Sequence, residues 1–299
     1  MPTRKTAYLA IIAAGALWGT IGIFVRTLTA AGFSPMQLIA FRAYISAAVL
    51  VVFLAIKNPG MLKIRLRDIW CFAGTGIASF VLFNYCYFIA MGETSLSVAA
   101  VLLYTAPVFV MLLSLLFFKE KMTKRKLIAL ILAFFGCVLV TGIFGQNLFV
   151  TKTGIIAGLL SGFLYALYSI FGRYALNRYH TFTVTAYTFV FASIGVTPMA
   201  DLGSIPAILG DNPSLLLFIL LFAAVSGILP YLLYTAGLSR VESGQASIIA
   251  SVEPVVATII GVLFFHESLT PAGVLGVIAV ISALFVLNLR PHAKKTIDI

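Results

Sequence analysis

Charge is scarce in this sequence of 299 residues, where only 10% are Asp, Glu, Lys or Arg and 62% are hydrophobic. That leaves too little polar surface to cover a soluble domain of this length. With a mean hydropathy of +1.11 the composition is that of an integral membrane protein. Cysteine is nearly missing too: Cys71, Cys86 and Cys137 all fall in apolar stretches, which argues against a disulfide framework and against a thiolate metal site. The three histidines, His180, His266 and His292, lie at the ends of apolar segments or in the C-terminal tail. That scatter offers no nucleophile with its base and no metal cluster for an enzyme, so no catalytic residue and no metal ligand is assigned. A phosphate loop is absent and the polar connections are too short for a nucleotide-binding domain. No cofactor is therefore expected, and any work the chain does would have to draw on an existing proton or solute gradient.

What the chain has in abundance is apolar runs. They cover roughly 7–28, 35–56, 69–91, 97–118, 127–143, 153–174, 182–199, 214–237, 245–265 and 271–289. Most have about the 17–25 residues that a helix needs to cross a bilayer. The first follows MPTRKT and is read as a retained span, because further spans follow it to the C-terminus. The expected fold is an all-α integral membrane protein of ten transmembrane helices in two five-helix halves. The halves are 1–143 and 153–290, joined by a loop at 144–152 and followed by a cytoplasmic tail at 291–299.

Basic residues supply the orientation. With the N-terminus cytoplasmic, Arg4, Lys5, Lys57, Lys63, Arg65, Arg67, Lys119, Lys121, Lys124, Arg125, Lys126, Arg173, Arg178, Arg240, Arg290, Lys294 and Lys295 all face inside. Only Arg26 and Lys152 face outside, and Arg42 falls within a span. This asymmetry predicts both termini in the cytoplasm. The formal charge of +11 then belongs to a face beside anionic lipid and is no footprint for nucleic acid. Five spans per half also means that the second half enters the membrane from the opposite side, so the two repeats are expected to be inverted.

A repeat is visible in the residues. Leu82–Thr123 and Leu229–Thr270 align without a gap at an offset of 147, sharing 10 identities in 42 positions. The identities include Tyr87/Tyr234, Pro107/Pro254, the two FF pairs, Glu120/Glu267 and Thr123/Thr270. The same offset pairs Gly15, Ile23 and Arg26 with Gly162, Ile170 and Arg173, and sets Trp18 against Tyr165. Inverted repeats let one chain open alternately to either side around a midplane site, which is the physical case for a carrier.

Pro107 and Pro254 lie near the middle of their spans and are expected to kink them. Glycines at Gly15, Gly19, Gly22, Gly74, Gly76, Gly154, Gly158 and Gly162 suit close helix contacts. Arg42 and Glu253 are charges at membrane depth whose repeat counterparts are Phe189 and Ala106, so the duplicated frame does not require them. Several roles stay open: a mutual ion pair, separate contacts to a zwitterionic solute, proton carriage by Glu253, or local snorkelling of Arg42 to its own membrane face. Trp18, Asn84, Tyr87, Tyr104, Tyr165, Tyr168, Tyr231, Tyr234 and Gln245 complete the candidate lining, since tyrosine offers both a flat apolar face and a hydroxyl.

The ALWG stretch at Ala16–Gly19, Arg42, TAPVFVMLLSLLFFKEKMT and SVEPVVATIIGVLFFHESLT together resemble the EamA family of the drug/metabolite transporter superfamily, over essentially the whole chain. The resemblance implies an inverted-repeat bundle with helices 1–4 and 6–9 around a cavity and helices 5 and 10 at the periphery. It matches Trp18, Arg42, the Glu253-Pro254 pair and the glutamates at Glu120 and Glu267 to family positions. It also implies a secondary transporter of small metabolites, with export of amino acids or related zwitterions as the first expectation. A carrier of organic cations is the alternative, and a membrane-embedded enzyme or a channel is a distant one. The expected setting is the multi-pass cell membrane of a bacterium or archaeon. The expected partners are a small-molecule substrate and lipid, with the chain a monomer or a homodimer.

Overall fold

The computed structural model describes residues 4–143, 148–268 and 270–288, the side chains of Asp211 and Asn288 excepted. The 291–299 tail, the basic residues Arg290, Lys294 and Lys295, His292 and part of the 144–152 joint lie outside the described residues. Ten main helical segments follow one another: α1 (Arg4–Ala30), α2 (Pro35–Lys57), α3 (Leu66–Glu93), α4 (Leu96–Phe118), α5 (Lys124–Val140), α6 (Lys152–Leu176), α7 (Thr181–Val196), α8 (Leu215–Leu238), α9 (Ser243–Phe265) and α10 (Pro271–Asn288). A short helix, Ile205–Asp211, precedes α8. Among the described residues there is no strand, only an isolated bridge between Thr94 and Val150.

Seven segments, α1–α4, α6, α8 and α9, are long and apolar enough to span a membrane. The other three, with 17 residues in α5, 16 in α7 and 18 in α10, are shorter. At about 1.5 Å per residue these reach ~24–27 Å, just under a hydrocarbon core of about 30 Å. Large apolar side chains such as Ile56, Leu116, Phe264 and Phe285 stand exposed on the outside of the bundle, as lipid rather than water would require.

The shared motif of the two halves acquires a physical meaning here. After the FF pairs, Lys119 and His266 take the left-handed conformation, with φ of 54° and 53°, and close α4 and α9. The Glu120 N–H then donates to Ser114 O (3.3 Å), and the Glu267 N–H donates to Gly261 O (3.1 Å). Three residues on, Thr123 Oγ1 accepts the Lys126 N–H (3.3 Å) to start α5, and Thr270 Oγ1 accepts the Gly273 N–H (3.1 Å) to start α10. FF-x-E-x-x-T therefore encodes a helix stop, a carboxylate and a helix start, twice.

The expected kinks are actual breaks. α4 is interrupted at Tyr104–Thr105 and α9 at Ser251, each three residues or fewer before its proline. A proline supplies no N–H to the carbonyl four residues earlier, so the turn just upstream loses its ladder. A glycine from the other half packs on each break. A Cβ on Gly15 would come within 2.9 Å of Ala250 O, and one on Gly162 within 2.9 Å of Leu102 O. Of the glycines expected at close contacts, Gly22 is the exception, where an added Cβ would meet nothing within 4 Å among the described residues. Two π-helical stretches, Gly74–Leu82 in α3 and Ala223–Ile228 in α8, also fall at matching positions of the repeat.

Packing follows the same offset. The first part of α1 lies against the end of α8, and α6 lies correspondingly against the end of α3. α2 packs on its counterpart α7, and α5 on its counterpart α10, where Gly136 and Gly276 let the backbones touch. The α5–α10 pair leaves the interior to the other eight helices.

Candidate functional site

Five of the aromatic residues expected to line a cavity do meet. Trp18 of α1, Tyr165 and Tyr168 of α6, and Tyr231 and Tyr234 of α8 surround a small cavity together with Ser79 of α3 and Ser169 of α6. On α6, residues 165, 168 and 169 share one face by the three- and four-residue spacing, as do 231 and 234 on α8. Trp18 packs edge-on against Tyr231 (ring centroids 5.3 Å apart) and tilted against Tyr234 (5.5 Å), while Tyr168 meets Tyr231 at 5.1 Å. Trp18 and Tyr165 are repeat counterparts and face each other at 6.5 Å, so the relation between the halves runs through the cavity.

The hydroxyls of this cage are partnered. Tyr168 Oη and Thr235 Oγ1 are 2.6 Å apart, and Ser169 Oγ and Tyr234 Oη are 2.7 Å apart. Ser79 Oγ donates to Tyr165 O (3.4 Å). The space left between the rings admits about one water molecule. A metabolite therefore enters only if the cage loosens.

Arg42 lies behind the cage. It is buried, its Nη2 donates to Ser226 O in the π-helical stretch of α8 (2.8 Å), and its guanidinium lies over Phe80 (5.0 Å) and Phe222 (5.8 Å). Its Nε has no hydrogen-bond partner among the described residues. A π-turn displaces a carbonyl from the regular ladder, and Arg42 occupies the one so exposed. Phe189, the counterpart of Arg42, is fully buried against Phe80 and Tyr231.

Glu253 stands just past the break in α9, facing the Tyr165 hydroxyl, with Tyr87 and Tyr104 also in its field. The ion pairs among the described residues are Arg26–Glu267, Lys126–Glu242 and Arg178–Asp68. Arg42 and Glu253 thus form no direct bridge in this conformation; each feels the other, and Tyr231 feels both. Tyr165 joins the two parts of the site, because it borders the cavity and neighbours Glu253.

Other expected lining residues stand outside the cavity. Asn84 Nδ2 donates to Phe80 O (2.7 Å), repairing the ladder at the end of the π-helical stretch of α3. Gln245 Oε1 accepts from Tyr8 (2.7 Å) and Arg4 (3.3 Å), tying the start of α1 to α9 away from the cavity. Tyr87 packs with Ala90, Ala99 and Ala157, and Tyr104 with Cys137, Val255 and Val280. Ser79 and Ser169 were missed by reasoning from residue type, yet one signal was present: the 147 offset pairs Ser79 with Ser226, and both belong to the site.

Comparison with known proteins agrees with this architecture. The model of the EamA-like transporter family matches residues 5–142 and again residues 152–289, the two matches starting 147 residues apart. An uncharacterized transporter of Archaeoglobus fulgidus is 28% identical over 256 residues, covering 85% of this chain and 88% of the relative. The uncharacterized transporter YwfM of Bacillus subtilis is 25% identical over 294 residues, covering 97% and 96%. A crystal structure of another protein superposes with a TM-score of 0.78 over 96% of this chain and 97% of that one, at 19% identity, a likeness of fold alone.

Proposed function

The chain belongs to the EamA-like transporter family, and on that premise we propose that it is a secondary transporter moving small ammonium-bearing metabolites, amino acids or related zwitterions first, by alternating access. The observation that carries this reading is the aromatic cage shared by both halves, with Arg42 buried and Glu253 half-buried beside it. Ring faces and a carboxylate attract an ammonium group; a guanidinium with an unused Nε suits a carboxylate. Export is the direction proposed, with Glu253 able to couple it to a proton gradient.

The membrane arrangement belongs to the same proposal: ten crossings, two inverted repeats and both termini in the cytoplasm of a bacterial or archaeal cell. The basic residues of the 57–68 and 119–126 connections support it. With the native cysteines replaced, an impermeant thiol reagent on intact cells should modify Lys152→Cys and spare Arg65→Cys. The reverse pattern would reject the orientation.

A carrier of organic cations remains the second reading, and one observation favours it: beside an aromatic cage, Glu253 has no ion-pair partner among the described residues. Protein reconstituted in liposomes separates the two. Saturable flux of labelled amino acids, with weak competition by quaternary amines, is the expected result. Saturable amine flux without amino-acid flux or competition would give the site to cations, and unsaturable flux of every compound would reject a carrier.

A further inference from the structure

Two pairs of charges repeat in both halves and have no part in the cage: Arg26 with Glu267, and Arg173 with Glu120. The 147 offset exchanges them, Arg26 for Arg173 and Glu120 for Glu267. Their arrangements in the structure nevertheless differ completely.

At one end, Arg173 and Glu120 grip the connection between α8 and α9. Arg173 Nη1 donates to Leu238 O and Val241 O, both at 2.7 Å, at the end of α8. Glu120, nearly buried, accepts the Ser243 N–H (2.8 Å) and the Gly244 N–H (3.3 Å) at the start of α9. A carboxylate on helix N-terminal amides and a guanidinium on helix C-terminal carbonyls each answer the local dipole. Met111 of α4 is packed against Gly244 and buried, so this end of the interior is shut.

At the other end the counterpart charges hold each other. Arg26 Nη2 donates to Glu267 Oε1 (2.5 Å) and lies over Phe265 (4.0 Å), with both side chains about half exposed. The groups that correspond to the gripped ones are Met91 O and Thr94 O at the end of α3 and the Leu96 and Ser97 N–H at the start of α4. Glu267 bonds to neither amide, and Arg26 to neither carbonyl, among the described residues. Leu96–Leu103 packs on α6 as the corresponding Ser243–Ala250 packs on α1, but Ser243–Ala250 packs in addition on Ala106–Phe118 of α4.

We propose that these four residues form a reciprocal latch: at the closed end arginine and glutamate grip the two helix ends of the opposite half's hairpin, and at the open end the same two charges let go and pair with each other. The structure is then the state closed at Glu120 and open at Glu267. In the opposite state Glu120 pairs with Arg173, while Glu267 takes the Leu96 and Ser97 amides and Arg26 the Met91 and Thr94 carbonyls. The latch rests on the alternating-access reading. Each switch exchanges sheltered, charge-assisted bonds at one end for a solvent-screened pair, and does the reverse at the other end, so these four residues contribute about equally to either state.

Labelling rates test it without any substrate. In a chain with its three cysteines replaced, Met111→Cys reports the Glu120 end, and its counterpart Thr258→Cys reports the Glu267 end. An impermeant thiol reagent is applied to each face of proteoliposomes. Glu120→Gln removes a grip present only in the state seen here. It should raise the Met111→Cys rate and lower the Thr258→Cys rate, changing their ratio about tenfold for the loss of one charge-assisted bond. Adding Glu267→Gln weakens the opposite grip and should return the ratio toward the native value. Rescue of one substitution by the other is the mark of a latch; loss of fold would move both reporters together. Reporters moving in the same direction, or a double variant further from native than Glu120→Gln alone, would overturn it. Absence of solute flux in the same liposomes would count against the carrier reading and leave the labelling result standing.

Discussion

Arg42→Met should leave the protein folded and cut transport at least tenfold. A guanidinium held in the bundle interior by one carbonyl, the Tyr231 hydroxyl and two phenyl rings gives up most of its hydration, and a buried charge replaced by an apolar side chain of similar volume is often neutral or stabilising. The second half supplies the precedent, since Phe189 fills the corresponding position and is fully buried. Thermal unfolding in detergent should therefore show Arg42→Met within about 1 kcal/mol of the native protein, or above it. Glu253→Gln should likewise insert and fold, because its counterpart is Ala106.

Their combination distinguishes the roles left open. If the two charges act on each other through Tyr231, the double variant loses clearly less transport than the two single losses combined; separate contacts to the solute give additive losses. A Glu253→Gln protein whose flux keeps the native pH dependence would remove proton coupling. Native flux in Arg42→Met would reduce Arg42 to a packing residue.

The second large effect belongs to two glycines, Gly162 and Gly15. Gly162→Ala places its Cβ 2.7 Å from Thr105 Oγ1 and 2.9 Å from Leu102 O, and Gly15→Ala places one 2.6 Å from Val252 Cγ1 and 2.9 Å from Ala250 O. Two of these neighbours are main-chain oxygens beside the broken turns of α4 and α9, so α6 or α1 must move away. Such overpacking costs about 1–3 kcal/mol, more than the ~1 kcal/mol of helix propensity that alanine returns. Gly22→Ala is the control, for it meets nothing within 4 Å and should be neutral or stabilising. Equal unfolding temperatures for all three variants would show that the breaks do not depend on close approach. Because α1 and α6 also carry Trp18 and Tyr165, the first two variants should lose transport as well.

Much of this was legible in the residues. Composition implied a membrane protein, and the 147 offset located the paired prolines and the FF-x-E-x-x-T motif, both of which have structural counterparts. Residue type was a weaker guide to the site. It named Trp18, Tyr165, Tyr168, Tyr231 and Tyr234, which meet, and equally Asn84 and Gln245, which bond elsewhere. It could not choose among them, because a tyrosine that lines a cavity and one that packs a helix look alike in sequence.

The sequence by itself determined that this chain is built of apolar helices in two related halves. Each helix closes its own backbone hydrogen bonds, a local requirement that apolar run length and periodicity record directly. Only the tertiary structure decided which side chains share the cavity, that Arg42 is held by Ser226 rather than Glu253, and that identical charge pairs grip a hairpin at one end and each other at the opposite end. The rotation of each helix about its axis is shifted by the π-helical stretches and the broken turns, and it is settled by packing between residues as distant as Trp18 and Tyr231. The two halves share a pattern of residues, yet a single conformation must place them in unequal surroundings if one end is closed while the other is open.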